Sequence, residues 1–313
     1  MLNRQHTALS KRAGDAADPA AGFSVSDLYE YVPPAREPDR HRDAGPDLVE
    51  IDVDGHRNVV AREGAGDITV LLVHGAGAHR MWWDLVTPAL TPDHQVLTID
   101  LGGHGDSDWR PAYGPSVHAR EIERALGLAT GPVVLVGHSM GGRGSTIAAA
   151  AAPDRVAGLV LLDTVFPKPG TRGERPDARR RLSTYDDRDT ARQRFRLMPP
   201  QPRPHPSELT AIADYALRQR DGRWAWKFDP EALGRYQDSI VDAALHQVTC
   251  PVTYMFGGRS ALPSRQAARR VSAVVPTAEI VCVEDGYHHL PLDSPREVAE
   301  TIISLSRRVR ASR

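Results

Sequence analysis

The pentapeptide Gly137-His138-Ser139-Met140-Gly141 places a serine between two glycines in a setting suited to covalent catalysis. The apolar run at 133–136 before it is typical of a buried strand, and the small-residue run at 146–152 after it is typical of a helix. A G-x-S-x-G sequence between a strand and a helix predicts a tight turn with the serine hydroxyl exposed at its apex. The predicted chemistry is nucleophilic catalysis by Ser139. The alternative is that Ser139 only caps the N-terminus of the helix.

Apolar strands that alternate with helical stretches are expected to position this serine. A hairpin is predicted first, with strands at 48–53 and 58–61 joined by a turn at Asp54-Gly55. Further strands are predicted at 69–73, 95–99, 133–136, 158–162, 252–256 and 279–283. Continuous apolar strands in this alternation predict an α/β fold with a mostly parallel central sheet and helices on both faces.

The composition along the chain divides it into three regions. Residues 1–46 are rich in Ala, Asp, Pro and Arg and lack a hydrophobic period, which favours a flexible N-terminal arm. Residues 47–165 and 248–313 carry the strands and are expected to form the core. Residues 166–247 have no comparable strand and are too long for a plain connection, so they are expected to form a helical cap insertion.

Four short signatures follow successive strands in a fixed order. They are His74-Gly75-Ala76-Gly77, the turn at 100–107, the Ser139 turn and Gly286-Tyr287-His288. Together they resemble the α/β-hydrolase superfamily, specifically its cap-bearing serine hydrolases with esterase-like and lactonase-like members. The resemblance runs from about residue 47 to the C-terminus and implies the α/β-hydrolase fold. It constrains the reaction less, because this fold also hosts dehalogenases, epoxide hydrolases and C–C bond hydrolases.

The resemblance also implies which groups assist Ser139. In the family, the catalytic histidine follows the last strand and precedes a proline that opens the final helix. Counting back from Pro295 selects His288 as the base that activates the serine. The side chain of the neighbouring His289 is expected to point away, as a surface loop histidine.

Two main-chain amides are expected to bind the oxyanion of an acyl-transfer intermediate. By resemblance they are the N–H groups of Ala76 and Met140. His74 is expected to brace the loop that carries Ala76, and Asp100 is expected to support the site without a chemical role.

The acid that should orient His288 departs from the usual pattern of the family. Relatives place it after the penultimate strand, where this chain has Ser260 and no carboxylate before the last strand. Some members place it one strand earlier, where Asp163 ends a strand at the edge at which catalytic groups gather. Asp163 is therefore the leading candidate, and the alternative is that it only caps a turn. A more remote alternative is a carboxylate of the cap, Asp186 or Asp187.

These assignments predict a serine hydrolase that cleaves a carboxylic ester, thioester or lactone of a small molecule through an acyl-enzyme. Two alternatives stay open. The same serine site could cleave a C–C bond or transfer an acyl group to an acceptor other than water. Because Ser260 replaces the usual acid, the chain could also be a weakened catalyst that serves as a small-molecule receptor. No metal or organic cofactor is implied, since His288 and His289 lack the spacing of zinc ligands.

The composition argues against several other classes. The 313-residue chain is 41% hydrophobic and 25% charged, and its formal net charge of -1 does not favour nucleic acid or an anionic membrane as a partner. No apolar segment has the length of a membrane span, and no apolar signal-peptide core follows the N-terminal basic residues. A cytoplasmic location is therefore expected. Two cysteines, Cys250 and Cys282, do not make a disulfide framework.

Overall fold

The computed structural model describes residues 45–166, 183–202, 206–233 and 239–312. Nearly all of the predicted N-terminal arm lies outside the described residues, so its flexibility stays a prediction. In chain order, the elements are β1 (Asp47–Val53), β2 (His56–Glu63), β3 (Thr69–Val73), α1 (Thr87–Leu90), β4 (Gln95–Asp100), α2 (Pro115–Leu126), β5 (Val133–His138), α3 (Met140–Ala151), β6 (Val156–Leu162), β7 (Thr184–Tyr185), α4 (Arg188–Gln193), α5 (Pro206–Tyr215), β8 (Leu217–Arg220), β9 (Arg223–Trp226), α6 (Ser239–Leu245), β10 (Val252–Gly257), α7 (Ser264–Val274), β11 (Glu279–Val283), α8 (Leu290–Asp293) and α9 (Pro295–Ala311).

An eight-stranded sheet forms the core, in the order β1-β2-β4-β3-β5-β6-β10-β11. The hairpin β1-β2 and the pair β2-β4 are antiparallel, and the other pairs are parallel. Asp54 and Gly55 make the hairpin turn with φ of 55° and 77°, a left-handed conformation that an Asp-Gly pair favours. The structure confirms the predicted fold class, a mostly parallel sheet within an α/β fold.

Helices cover both faces of this sheet because its inner strands are apolar on both sides. Side chains alternate along β3, so that Val70 and Leu72 enter one cluster while Leu71 and Val73 enter the other. The first cluster includes α9, and the second includes α2, α3 and α7. Of the helices within the described ranges, none combines the length and apolarity that crossing a membrane requires.

The insertion between β6 and β10 departs from the all-helical expectation. Its described part contains helices, but also a three-stranded antiparallel sheet in the order β7-β9-β8. Asp221 and Gly222 turn β8 into β9 with φ of 52° and 77°, the same Asp-Gly hairpin chemistry as in the core. Ala225 and Trp226 of β9 are buried, which anchors this strand within the insertion. The Asp-Gly pair was the available signal for this hairpin.

Candidate active site

Ser139 occupies a strained turn between β5 and α3. Its φ of 51° and ψ of -115° lie in a region that non-glycine residues rarely adopt. The flanking glycines are required sterically, since a Cβ at Gly137 would lie 2.5 Å from the Cα of Gly142. Ser139 precedes the helix but makes no side-chain capping hydrogen bond, which argues against the capping alternative. The turn therefore has the geometry of a nucleophile elbow.

Asp163 and His288 are in direct contact. The Nδ1 atom of His288 lies 2.7 Å from Oδ2 of Asp163, and both side chains are buried. Asp163 follows β6 with φ of 44°, and its N–H donates to the carbonyl of Met255 on the neighbouring strand β10. The carboxylate thus faces His288 across the end of the sheet instead of capping its own turn. With Nδ1 engaged, Nε2 of His288 is the nitrogen left for proton transfer.

His138, immediately before the serine, links the elbow to the histidine loop. Its Nε2 lies 2.9 Å from the carbonyl oxygen of His288, and the two rings are 4.8 Å apart. Burial lowers the pKa of His138 to about 3, so the ring is neutral and Nε2–H donates to that carbonyl. Within the described part of the chain, no hydrogen bond joins Ser139 Oγ to His288, a contact that catalytic sites often complete only with substrate bound.

The two predicted oxyanion donors belong to the residue after the serine and to a loop that passes near it. Met140 is the first residue of α3, so its N–H has no acceptor within the helix. Ala76 belongs to the loop after β3, where a Cβ on the preceding Gly75 would lie 3.2 Å from Cβ of Ser139. The backbone of this loop therefore passes directly beside the serine.

Two buried histidines brace the Ala76 loop, one of them as expected. His74 Nε2 accepts from the N–H of Leu101 at 3.0 Å, and His104 Nε2 accepts from the N–H of Gly77 at 3.1 Å. Both rings accept at Nε2, which requires them to be neutral. Burial lowers the pKa of each to about 3, which maintains that state.

The other candidate acids lie elsewhere or act differently. Ser260 donates from Oγ to Oδ2 of Asp163 at 2.6 Å, so it contacts the acid and not the histidine. Asp186 is exposed and pairs with Arg223, and Asp187 accepts from the N–H of Thr190 as the N-cap of α4. Sequence reasoning missed the Ser260–Asp163 contact, because it considered Ser260 only as a direct partner of His288.

The expectation that His289 is a surface residue is wrong. The ring is buried and packs 4.9 Å from that of His288 and 6.0 Å from that of Trp82. The main-chain N–H of His289 donates to Oε1 of Gln201, a residue of the insertion. The insertion covers this loop, which the sequence alone did not indicate.

Three of these imidazoles form the one described cluster that could hold a metal ion. Nitrogen atoms of His138, His288 and His289 lie within 4.8 Å of one another. However, His138 Nε2 already bonds the His288 carbonyl and His288 Nδ1 already bonds Asp163. Metal ligation there competes with the hydrogen bonds of the site itself.

The buried histidines predict that the protein is acid-labile. Desolvation lowers the folded-state pKa to about 3 for His74, His104, His118 and His138. Their contribution to stability is present above the unfolded-state value of about 6.5 and is lost as pH falls, at about 1.4 kcal/mol per pH unit for each histidine. Asp100 and Glu121 are buried carboxyls with a raised pKa, so they gain stability for the folded state as pH falls. They offset only part of the loss from the histidines. Urea unfolding at about pH 5 should therefore show a much lower free energy of unfolding than at about pH 7.5.

A single substitution tests the origin of this pH dependence. Neither nitrogen of His118 has a hydrogen-bond partner among the described residues, so His118→Leu removes a titrating group without breaking a bond. Between about pH 6 and pH 4, the variant should take up about one proton fewer on unfolding than the wild type. The plot of the free energy of unfolding against pH should therefore be less steep. An unchanged slope contradicts the assignment of a depressed pKa to His118.

A buried charge cluster joins the insertion to the core beside the site. Asp100 at the end of β4 bonds Arg80 at 2.6 Å, and burial raises the pKa of Asp100 to about 6. Tyr215 of α5 reaches into this pair, with its hydroxyl 2.8 Å from Asp100 and 2.7 Å from Asp106, and also contacts Arg80. Lys227, after β9, pairs with Asp106 at 2.7 Å. The expectation that Asp100 supports the site agrees with these contacts.

Tyr215→Phe should loosen the insertion from the core. The change removes a hydroxyl that serves two carboxylates, at an expected cost of about 1.5–3 kcal/mol in the free energy of unfolding. Equilibrium unfolding in urea measures this loss. Tyr185→Phe is the matched control, because Tyr185 lies in the same insertion with its ring against Trp226. Equal effects of the two variants would contradict the role of the hydroxyl.

Comparison with known proteins identifies the family of this chain. The alpha/beta hydrolase family matches residues 70–301, and this chain belongs to that family. The esterase Rv0045c of Mycobacterium tuberculosis is 29% identical over 257 residues, which cover 77% of this chain and 83% of that protein. The lipase LipV of the same organism is 30% identical over 247 residues, which cover 77% of this chain and 94% of LipV.

Solved structures show the same fold. A thioesterase domain from the curacin biosynthetic pathway superposes with a TM-score of 0.71 at 22% identity, covering 83% of this chain and all of that domain. The crystal structure of Rv0045c superposes with a TM-score of 0.67, covering 84% of this chain and 91% of that chain. At these identities the superpositions establish architecture alone.

Proposed function

We propose that this protein is a serine hydrolase that cleaves a carboxylic ester, thioester or lactone of a small molecule through an acyl-enzyme on Ser139. The observation that carries the proposal is the 2.7 Å contact between His288 Nδ1 and Asp163 Oδ2 at the end of the sheet that also bears the strained serine turn. This contact weighs against the receptor alternative, because it supplies the acid that Ser260 lacks.

In the proposed mechanism, Ser139 Oγ attacks the carbonyl carbon while Nε2 of His288 takes the hydroxyl proton. The N–H groups of Ala76 and Met140 stabilise the oxyanion, and the tetrahedral intermediate collapses when the imidazolium returns the proton to the leaving alcohol or thiol. Water, activated by the same Nε2, then hydrolyses the acyl-enzyme. Asp163 stays ionised throughout, holds the Nδ1–H tautomer and stabilises the imidazolium.

Carboxylic esters are the favoured substrate class within this proposal. The two curated relatives described above are named as an esterase and a lipase, and each aligns over more than three quarters of this chain. The thioesterase similarity is structural only and does not favour thioesters.

A substrate panel with a covalent probe tests the proposal. Purified protein should release p-nitrophenol from short-chain p-nitrophenyl esters, and a fluorophosphonate should add one mass increment to the peptide that contains Ser139. Acylated product with an added alcohol as acceptor would favour the acyltransferase alternative. If the protein neither turns over esters nor reacts with the probe, the hydrolase proposal fails.

A further inference from the structure

The hydroxyl of Ser260 lies against the carboxylate of Asp163. Its Oγ is 2.6 Å from Asp163 Oδ2, the same oxygen that contacts His288 Nδ1 at 2.7 Å. We propose that Ser260 is a positioning residue, whose hydroxyl fixes the orientation in which Asp163 holds His288. This inference rests on the proposed function.

Hydrogen-bond accounting gives the direction of the Ser260 hydroxyl. A serine Oγ has one proton to donate and two lone pairs to accept with. The N–H of Leu262 donates to Ser260 Oγ at 3.2 Å. The single hydroxyl proton of Ser264 has two acceptors within reach, Ser260 Oγ at 3.3 Å and the carbonyl of Leu262 at 3.4 Å. An ionised carboxylate accepts hydrogen bonds and has no proton to donate, so the single proton of Ser260 points to Asp163.

The Asp163 carboxylate has few other anchors. Its Oδ1 atom is buried without a hydrogen-bond partner among the described residues, so the donors that reach the carboxylate are Ser260 and His288. The backbone of Asp163 has a positive φ of 44°, a conformation that is uncommon for residues other than glycine. The imidazole of His288 changes its protonation during the reaction, whereas the hydroxyl of Ser260 does not. Ser260 is therefore the donor that can hold the carboxylate in place throughout.

The loop that carries Ser260 is tied to the loop that carries His288. The N–H of Gly258 donates to the carbonyl of Val283 at 2.7 Å, and the N–H of Arg259 donates to the carbonyl of Gly286 at 3.0 Å. Ser260 and His288 therefore lie on two loops that are hydrogen-bonded to each other, and both side chains contact the same carboxylate oxygen of Asp163.

Ser260→Ala tests the role, with Ser264→Ala as the matched control. Ser264 is the first residue of α7, four positions after Ser260, and it contacts Ser260 but not Asp163. Ser260→Ala should lower kcat for a p-nitrophenyl ester about 10- to 100-fold, the effect of losing a hydrogen bond to a charged group, while KM stays near the wild-type value. Ser260→Thr keeps the hydroxyl and should restore most of kcat, and Ser264→Ala should stay near wild type. Wild-type kcat in Ser260→Ala, or equal losses in both alanine variants, would overturn the proposal.

A double variant keeps the proposal testable if Ser260→Ala does not fold. Exchanging the two residues, Asp163→Ser with Ser260→Asp, returns the carboxylate to the position that the family usually employs. Since the two side chains already touch, the double variant should turn over faster than Asp163→Ser alone. An equal or slower rate counts against a shared site.

A spectroscopic readout separates this inference from the proposed function. In the unliganded protein, the His288 Nδ1–H should give a far-downfield proton resonance, because it is buried and bonded to a carboxylate. Ser260→Ala should shift or broaden this resonance and Ser264→Ala should not. The measurement needs no substrate, so an unperturbed resonance in Ser260→Ala overturns the positioning role. Absence of ester turnover by the wild type overturns only the function.

Discussion

Replacing Ser139 with alanine is expected to abolish ester hydrolysis. Without Oγ there is no acyl-enzyme, and removal of a triad serine has a typical cost of about 10⁶-fold in kcat. Alanine keeps the Cβ and adopts the same positive φ as serine, so the fold and the substrate affinity should persist. Progress curves with a p-nitrophenyl ester measure the loss, and labelling with a fluorophosphonate should disappear in parallel.

The matched control for this variant is Ser145→Ala. Ser145 lies on the same helix α3 and is buried, but it follows the elbow by more than one turn. Its substitution should leave labelling intact. If Ser139→Ala keeps substantial turnover while Ser145→Ala loses it, the nucleophile has been assigned to the wrong residue.

The substitution Asp163→Asn is expected to cause the second large loss of activity. Asparagine matches aspartate in size and keeps a contact with Ser260, but it is neutral and cannot stabilise the imidazolium of His288. Loss of the acid in another triad enzyme lowers kcat about 10⁴-fold, and a drop of this order is expected here. Steady-state kinetics near neutral pH measure it, with Asp186→Asn as the control, because Asp186 is an exposed carboxylate of the insertion.

The outcome of this pair of variants also separates the candidate acids. A large loss in Asp163→Asn with normal rates in Asp186→Asn supports the assignment of Asp163. Wild-type rates in Asp163→Asn would mean that the acid lies elsewhere or that the reaction does not use one.

The local features of this fold were predictable from sequence because they depend on neighbours along the chain. The Ser139 turn is specified by a preceding apolar strand and by glycines that only a tight bend requires. The hairpin at Asp54-Gly55 follows from the same turn chemistry. The predicted strands agree with the observed ones to within two residues at each end, because continuous apolar runs coincide with strands buried on both faces.

The features that sequence reasoning missed depend on how the insertion lies over the core. His289 looked like a loop residue, yet Gln201 and the ring of Trp82 enclose it. No role was predicted from sequence for Tyr215, yet its hydroxyl completes a charge cluster with residues more than a hundred positions earlier. Such contacts join segments that are distant in sequence, so no local sequence pattern predicts them.

The positive φ angles of Ser139 and Asp163 have a consequence for the energetics of the molecule. Both residues keep a conformation that glycine adopts at no steric cost, so at these two sites the side chain proposed for the chemistry also carries a steric cost that glycine would avoid. At these two positions, a substitution that raised thermal stability would therefore be expected to lower catalytic activity. Stabilising substitutions in this protein should therefore be sought at other positions, and both of these residues should be kept.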